Sequence, residues 1–462
     1  MARVIPGSRA VRITRRRVRI LFLTILVVSG AGIVYSAVAD SAAENTGTVR
    51  TVPPAENHTV VTQSGRIGNI VAYAPNGSRI YSNDTHTKYY DVDPVANASM
   101  TVEYAATDTL YAKSPRCQDP PCARNVIERA NLSTGEVTQV YSQYVYRETA
   151  GEWHDADRID DRHFVVADIA ADQVFVVDTE TEMIEWTWDA QSEFPVSGGG
   201  SYPGNWVHLN DVEYIETGRM EGRVMVSLRN QDQVVFIDPE TGMLGNRTLG
   251  AEDDYSILNE QHNPDYISGT RGGPAVVVAD SENGRVQEFQ RENGAWNRTW
   301  TWSDARLQWP RDADRLPGGN TLVTDTGGER VLEVNDSGAI VWQARFKHPY
   351  DAERLETGDE SAGGRSAAAL GLESRTSSAD DPGGRDIDLG LFEPLVDGVR
   401  DLVPSRIVNA LIHASPTWLG PSDIGPVIVA LCTGLLWGAI ELGWFLRARG
   451  VGLRSPVYRR ER

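Results

Sequence analysis

The sequence predicts an all-β fold, a six-bladed β-propeller flanked by N- and C-terminal transmembrane helices. Three observations carry this reading: a strand–turn–strand pattern recurs along the middle of the chain, helical periodicity is absent there, and two long apolar runs lie beside arginine clusters. The repeat is clearest in four places. Residues 165–168 are followed by 173–178, 224–227 by 233–238, 276–280 by 285–289, and 321–325 by 330–334. Each pair is a β-branched run, a polar turn and an alternating run, which is the pattern of two antiparallel strands. A third strand ending in tryptophan follows in 184–188, 300–302 and 340–342. Two weaker units precede these, 69–73 with 78–81 and 126–130 with 136–140, and bring the expected count to six. Units of about 40–55 residues that each form a small sheet bury their faces only by closing into a ring.

The apolar runs cover 20–39 and 424–446. At about 1.5 Å per residue either can cross a hydrocarbon layer of about 30 Å. Arg15, Arg16, Arg17 and Arg19 precede the first; Arg447, Arg449, Arg454, Arg459 and Arg460 follow the second. Positive residues favour the cytoplasmic side. The expected order is therefore a cytoplasmic N-terminus (1–19), a membrane helix (20–39), an extracellular propeller (40–353), a flexible acidic loop or linker (354–390), an amphipathic helical region (391–423), a second membrane helix (424–446) and a cytoplasmic tail (447–462). A cleaved leader ending at Ala37-Val38-Ala39 is the rival reading of the first run, but the run is longer than a usual signal core. Glu441 stands inside the second run.

Composition sets limits on function. The 462 residues hold 44 Lys and Arg against 64 Asp and Glu, a net charge of -20, which argues against nucleic acid as a partner. The imbalance is concentrated in the middle. Residues 1–20 carry seven Arg and no acid, and 447–462 carry six Arg and one Glu, so the rest has 63 acids against 31 bases, a net of -32. Lys88, Lys113 and Lys347 are the only lysines. An acidic, lysine-poor surface suits concentrated salt, where screening removes self-repulsion. Three cysteines exclude a disulfide-dense scaffold. Cys117 and Cys122 are close enough for a small disulfide loop in an oxidising compartment, or else stand as two surface thiols. Glycosylation acceptor sequences at Asn57, Asn76, Asn83, Asn97, Asn131, Asn246, Asn297 and Asn335 fit an exported domain.

A second repeated element precedes the strand pairs. It reads Trp153-His154-Asp155-Ala156-Asp157, then Val207-His208-Leu209-Asn210-Asp211, then Gln261-His262-Asn263-Pro264-Asp265, and becomes Pro310-Arg311-Asp312-Ala313-Asp314. His154, His208 and His262 are spaced by 54 residues and Arg311 follows after 49, although the chain has only eight His. The slot opens the innermost strand, so these side chains should meet at the mouth of the central channel. Three imidazoles with Arg311 and Arg229, without an acidic partner, suit an anion such as a sulfate or phosphate ester. Three histidines can also hold zinc or copper, but the arginines oppose a cation. The recurrent Asp157, Asp211, Asp265 and Asp314 read as turn and blade-to-blade hydrogen bonders.

On His208-Leu209-Asn210, Ser227-Leu228-Arg229, Gln261-His262-Asn263 and the 310–322 stretch, the region 150–345 resembles the bacterial nucleotide-independent arylsulfotransferases. That resemblance implies a six-bladed propeller outside the inner membrane that needs no cofactor. It implies transfer of a sulfuryl group from a phenolic sulfate donor to a phenolic acceptor through a sulfated histidine. By order and context it assigns the nucleophile to His262 and sulfate binding to His154, His208, Asn210 and Arg229; the shared slot adds Arg311 as a substrate-binding residue. The membrane segments are a departure from that family. The alternative is a non-catalytic cell-surface propeller that binds an anionic ligand or a protein partner.

Overall fold

The computed structural model describes residues 15–45, 51–52, 54–65, 68–146, 151–304, 306–377, 405–414, 419 and 421–449. It divides into two compact units, residues 43–387 with 404–417, and residues 1–42 with 388–403 and 418–462.

The larger unit is a six-bladed propeller. Blades two to six run in chain order through 88–145, 153–189, 209–250, 262–304 and 310–345, each sheet antiparallel among its first four strands from the axis outward. Blade one joins both ends of the ring: its inner strand Pro349–Arg354 pairs with Thr59–Gln63, followed by Asn69–Tyr73 and Arg79–Asn83. Register there is Thr59↔Arg354, Val60↔Glu353 and Val61↔Ala352. The tryptophan-rich runs are fourth strands, Met183–Asp189, Ala295–Asp304 and Ile340–Arg345; Arg375–Ser377 lies outside the second and Thr51–Val52 outside the third.

Alternating strands bury residues on both faces, so the apolar core is split into six clusters, one between each pair of neighbouring blades. Val165, Val174 and Trp188 of blade three meet Val212, Val226 and Val235 of blade four. Met225 and Phe236 of blade four meet Val276 and Phe289 of blade five. The same holds for blades one and two, two and three, five and six, and six and one. At roughly 25 cal/mol per Å² of apolar area, this face-to-face burial is the main force closing the ring.

The inner strands are staggered by side-chain bonds. Asp155 accepts from the Val212 amide and Asp157 from the Tyr214 amide, both in blade four. Glu213 accepts from Tyr266 N at 2.6 Å in blade five, and Asp351 from Val92 N at 2.8 Å in blade two. Of the four recurrent acids read as blade-to-blade hydrogen bonders, Asp157 bonds in this way; Asp265 instead accepts from Ser361, and Asp211 Oδ2 and Asp314 Oδ2 have no partner.

The segment expected to be a flexible loop, 354–390, is folded over its described part. Arg354 ends an inner strand, a helical turn α2 (Ala367–Leu370) follows, and Arg375–Ser377 pairs parallel with Ala295–Asp304. Polar bonds hold it: Ser361 Oγ donates to Asp265, Ala367 N donates to Glu288 Oε1 at 2.7 Å, and Glu360 N donates to Glu353 Oε1 at 2.8 Å. Gly, Ser and Asp composition concealed this, because the segment docks by hydrogen bonds rather than by an apolar stripe. Residues 378–390 and much of the expected amphipathic region lie outside the described residues; within that region a helix α3 (Ser405–Ala414) buries Val408, Asn409 and Ile412.

Cys117 and Cys122 form a disulfide, with Cα atoms 5.9 Å apart. None of the eight glycosylation-acceptor asparagines is buried. Four of them, Asn76, Asn83, Asn131 and Asn335, also accept from the amide two residues on and so hold turns.

The smaller unit holds most of α1 (Arg15–Asn45) and all of α4 (Pro421–Ala448), both long and apolar enough to cross a membrane. Arg19 Nη2 donates to Glu441 Oε2 at 2.7 Å, Phe22 stacks on Trp437, and Arg15 lies over Trp444. Each advance along α1 is a retreat along α4, so the helices run antiparallel. Their apolar surface stays largely exposed, including Leu21, Val27, Leu435 and Leu442.

His86, outside the repeated slot, is buried in blade two with Asp108 at 3.0 Å and Glu128 at 3.1 Å. Burial works against its charge, but the hydrogen bonds and attraction of Asp108 and Glu128 outweigh that and raise it to about 9. A raised folded-state value stabilises below the unfolded pKa near 6.5 and is lost as pH rises through the folded one. Thermal stability should therefore carry a contribution of about 3 kcal/mol at pH 6 that fades by pH 9–10. His86→Gln should lower Tm at pH 6 and flatten that part of the profile.

Candidate active site

Six inner strands begin at one end of the axis, and each brings one side chain there: Tyr90, His154, His208, His262, Arg311 and Tyr350. Tyr350 is the hub. Its ring lies 5.0 Å from Tyr90, 5.5 Å from His154 and 6.3 Å from His262, and Arg311 sits 5.0 Å above it. His154 stacks on Tyr90 at 4.2 Å and meets His208 edge-on at 5.0 Å. His154, His262 and both tyrosines are buried; His208, Arg311 and Arg229 keep some exposure and mark the open side.

The backbone explains why one residue per blade arrives here. Pairing between inner and second strand slips at this level in all six blades, between Tyr89 and Val92, beside His154, between Leu209 and Asp211, between His262 and Asp265, between Pro310 and Asp312, and beside Tyr350. A bulge breaks strict alternation and re-aims a side chain. It lets Tyr350 join the ring while Asp351, the next residue, reaches across to blade two. Four residues at or beside these entries have left-handed backbone: His208, Asn263, Trp309 and His348, with φ of 52°, 33°, 58° and 45°. Such conformations cost non-glycine residues about 1–3 kcal/mol and cluster at functional sites.

All three histidines are held well below the usual imidazole range, chiefly by burial and further by Arg311 and Arg229. They are neutral at pH 7. His262 Nδ1 lies 3.1 Å from the Glu260 carbonyl oxygen and 2.9 Å from Ser281 Oγ. A carbonyl only accepts, so Nδ1 carries the proton and Nε2 the lone pair. His208 Nδ1 faces Asn205 Oδ1 at 2.6 Å, which fixes the same tautomer. His154 Nδ1 meets the Tyr350 hydroxyl at 3.1 Å. Burial keeps that hydroxyl protonated, so it can donate to Nδ1, the arrangement in which the His154 proton sits on Nε2.

The arginines have spare donors. Nε of Arg311 and Nε of Arg229 are both buried without a hydrogen-bond partner. Among the described residues Arg311 makes no ion pair; Trp309 and Tyr350 pack on its guanidinium. Arg229 differs from expectation, for Glu260 pairs with it and also with Arg406 of α3. Burial opposes the Glu260 charge, but the two arginines outweigh it and hold the carboxyl low. Asn210 donates to the Gln261 carbonyl oxygen at 2.8 Å and so fixes the main chain that leads into His262. α3 adds Asn409, bonded to Gln308 and, at 3.0 Å, to Glu282, which places it beside the entries of blades five and six.

The structure thus brings together His154, His208, His262, Arg229 and Arg311. Tyr90, Tyr350, Ser281 and Glu260 were missed. The tyrosines had a signal, because Tyr90-Asp91-Val92-Asp93 and Tyr350-Asp351-Ala352-Glu353 repeat the slot with tyrosine in place of histidine. Ser281 and Glu260 had none, since their roles arise only when the strands are folded.

Residues 134–347 match the profile of the family described as arylsulfotransferase (ASST). The match supports that family over this stretch, somewhat under half of the chain. No curated protein matches. Solved structures with a similar course include the Pseudomonas aeruginosa periplasmic gluconolactonase PpgL, 14% identical over 65% of this chain and 86% of that one, with a TM-score of 0.43. Selenomethionine-substituted virginiamycin B lyase from Staphylococcus aureus is 12% identical over 53% of this chain and 74% of its own, with a TM-score of 0.32. Likeness at that level carries no argument about this site.

The two unpartnered guanidinium donors make inorganic sulfate a probe. It should bind to the full chain in detergent, and Arg311→Gln should weaken it by about 10-fold or more, since a charge-assisted bond contributes about 1.5–3 kcal/mol. Isothermal titration reads this directly.

Proposed function

We propose that this chain is a membrane-tethered, extracellular aryl sulfotransferase that moves a sulfuryl group between phenols through His262. The observation that carries the reading is the fixed tautomer of His262, with its lone pair on Nε2, beside two arginines that hold unused donors.

The lone pair of Nε2 attacks sulfur in the donor ester. The bond from sulfur to the phenolic oxygen breaks, and its electron pair leaves on the phenolate. The charge that grows on the imidazole is shared with the Glu260 carbonyl and Ser281 Oγ through Nδ1–H. Arg311, Arg229 and His154 Nε2–H donate to the sulfuryl oxygens, where negative charge gathers in the transition state. The acceptor phenol then attacks sulfur, the N–S electron pair returns to Nε2, and the acceptor proton passes to Nε2 of His208. That proton goes back to a phenolate in the next donor half-reaction. Asn210 acts by position. No cofactor enters the scheme.

Antiparallel pairing of α1 and α4 supports a hairpin with both termini on the arginine-rich cytoplasmic side, and the exposed apolar surface of both helices supports burial in lipid. The disulfide and the eight acceptor asparagines, none of them buried, agree with an outer location for the propeller, and the acidic composition with a salty one. Protease added to intact cells should cut only within the middle region; a soluble mature form starting near Asp40 would show that the first run is cleaved instead.

The chemistry is tested by incubating the full chain in high salt with an aryl sulfate and no acceptor. One sulfuryl group should load onto His262, and His262→Ala should abolish loading and turnover together. His208→Ala and Arg229→Ala should lower turnover about 100- to 1000-fold without moving the adduct. Asn210→Ala should do so more mildly. Full activity in His262→Ala overturns the assignment, and no exchange across many phenolic donors favours a binding propeller.

A further inference from the structure

Below the ring of imidazoles the axis changes sign. Asp91, Asp155, Asp211, Asp312 and Asp351 form one tier on the inner strands, and Asp93, Asp157, Glu213, Asp265, Asp314 and Glu353 the next, as the strand registers align them. All are buried except Glu213, which is partly so. Amide bonds account for Asp155, Asp157, Glu213 and Asp351. Glu353 Oε1 accepts from Glu360 N at 2.8 Å, Asp265 from Ser361 Oγ and Asp312 from Thr324 Oγ1 at 3.2 Å, whereas no amide among the described residues bonds Asp211 or Asp314. Asp265, Asp312 and Asp314, on blades five and six, place carboxylate oxygens all within 4.8 Å of one another.

A cluster of acids alone is no site, but two oxygens outside this trio point to an occupant. Asp211 Oδ2 and Glu353 Oε2, from blades four and one on either side, are buried without a hydrogen-bond partner. The charge of Asp211 acts on Asp265 and Asp312, and that of Glu353 on Asp312 and Asp314. Asp314 Oδ2 within the trio is unpartnered as well. Asp312 is hydrogen-bonded to Asp314 and to Asp351, and Asp211 Oδ2 and Glu353 Oε2 remain without a partner. Two buried arginines act on the trio: Arg315, felt at Asp265, pairs through Nη2 with Glu288 while its Nε and Nη1 have no partner, and Arg354, felt at Asp314, pairs with Glu333.

We propose that Asp265, Asp312 and Asp314, with Asp211 and Glu353 beside them, hold a calcium ion on the propeller axis. Hard carboxylate oxygens from several blades suit a hard divalent cation. Oxygens on opposite sides of calcium stand about 4.6–5.2 Å apart at bond lengths of about 2.3–2.6 Å, whereas magnesium draws them closer and gives up its water reluctantly. The ion would tie blades four, five, six and one together and offset the negative charge beneath the histidines. This site is independent of the sulfuryl reaction.

The test uses the full chain in detergent, stripped with EDTA and titrated with CaCl2. One calcium per chain should bind, and Tm should rise by about 5 °C or more at 100-fold excess over Kd. Asp314→Asn should weaken binding at least about 10-fold, while Asp161→Asn, on an exposed turn, should leave it unchanged. Should Asp314→Asn fail to fold, the stripping and return of the unaltered chain decides the matter. No change in Tm on stripping, an equal response to NaCl at matched ionic strength, or calcium binding that survives both Asp265→Asn and Asp314→Asn would each overturn the proposal.

Discussion

Each inner strand has one edge facing the axis, with no strand beyond it. Its amides on that edge would be orphaned inside the molecule, at a cost comparable to a lost hydrogen bond each. The molecule answers with carboxylates from the neighbouring blade: Asp155 and Asp157 reach Val212 and Tyr214, Glu213 reaches Tyr266, and Asp351 reaches Val92. This requirement explains why acids recur on every inner strand. It also couples the blades in angle and height, since each carboxylate meets an amide at one place only. The bulges that begin the strands free the preceding residue to turn inward, so the imidazole ring is a product of the same local geometry that satisfies the amides.

Two opposite electrostatic environments then share one axis. At the mouth, burial and two arginines keep three imidazoles neutral and leave guanidinium donors unused. Below it, carboxyls rise above their ordinary range, chiefly through burial: Asp155 to about 6 and Asp312 to about 7. Tyr350 feels both, with Arg311 over its ring and the charges of Asp155, Asp211 and Asp351 acting on its hydroxyl.

Much of this was legible in the residues. The blades announced themselves through β-branched runs at a regular interval, and the histidines through equal spacing. The tyrosine members of the ring were written in the same slot, but a pattern searched by histidine passes over them. Glu260 is a different case: it sits two residues before His262, and nothing in that spacing says that its carboxylate would turn toward Arg229 and its carbonyl toward the imidazole. The docked segment after Arg354 was hidden because composition records the loss of an apolar stripe and is silent about Ser361 and Ala367 bonding to buried acids.

Ring closure has a consequence in time. Blade one is complete only when Pro349–Arg354 reaches Thr59–Gln63, nearly three hundred residues earlier in the chain. The same strand delivers Tyr350, which orders His154 and packs against Tyr90 and Arg311. A growing chain that has already placed all three histidines therefore still lacks the group that joins them. The mouth is therefore finished from the far end of the sequence, and a chain cut short before Pro349 would carry the imidazoles without the wall that joins them.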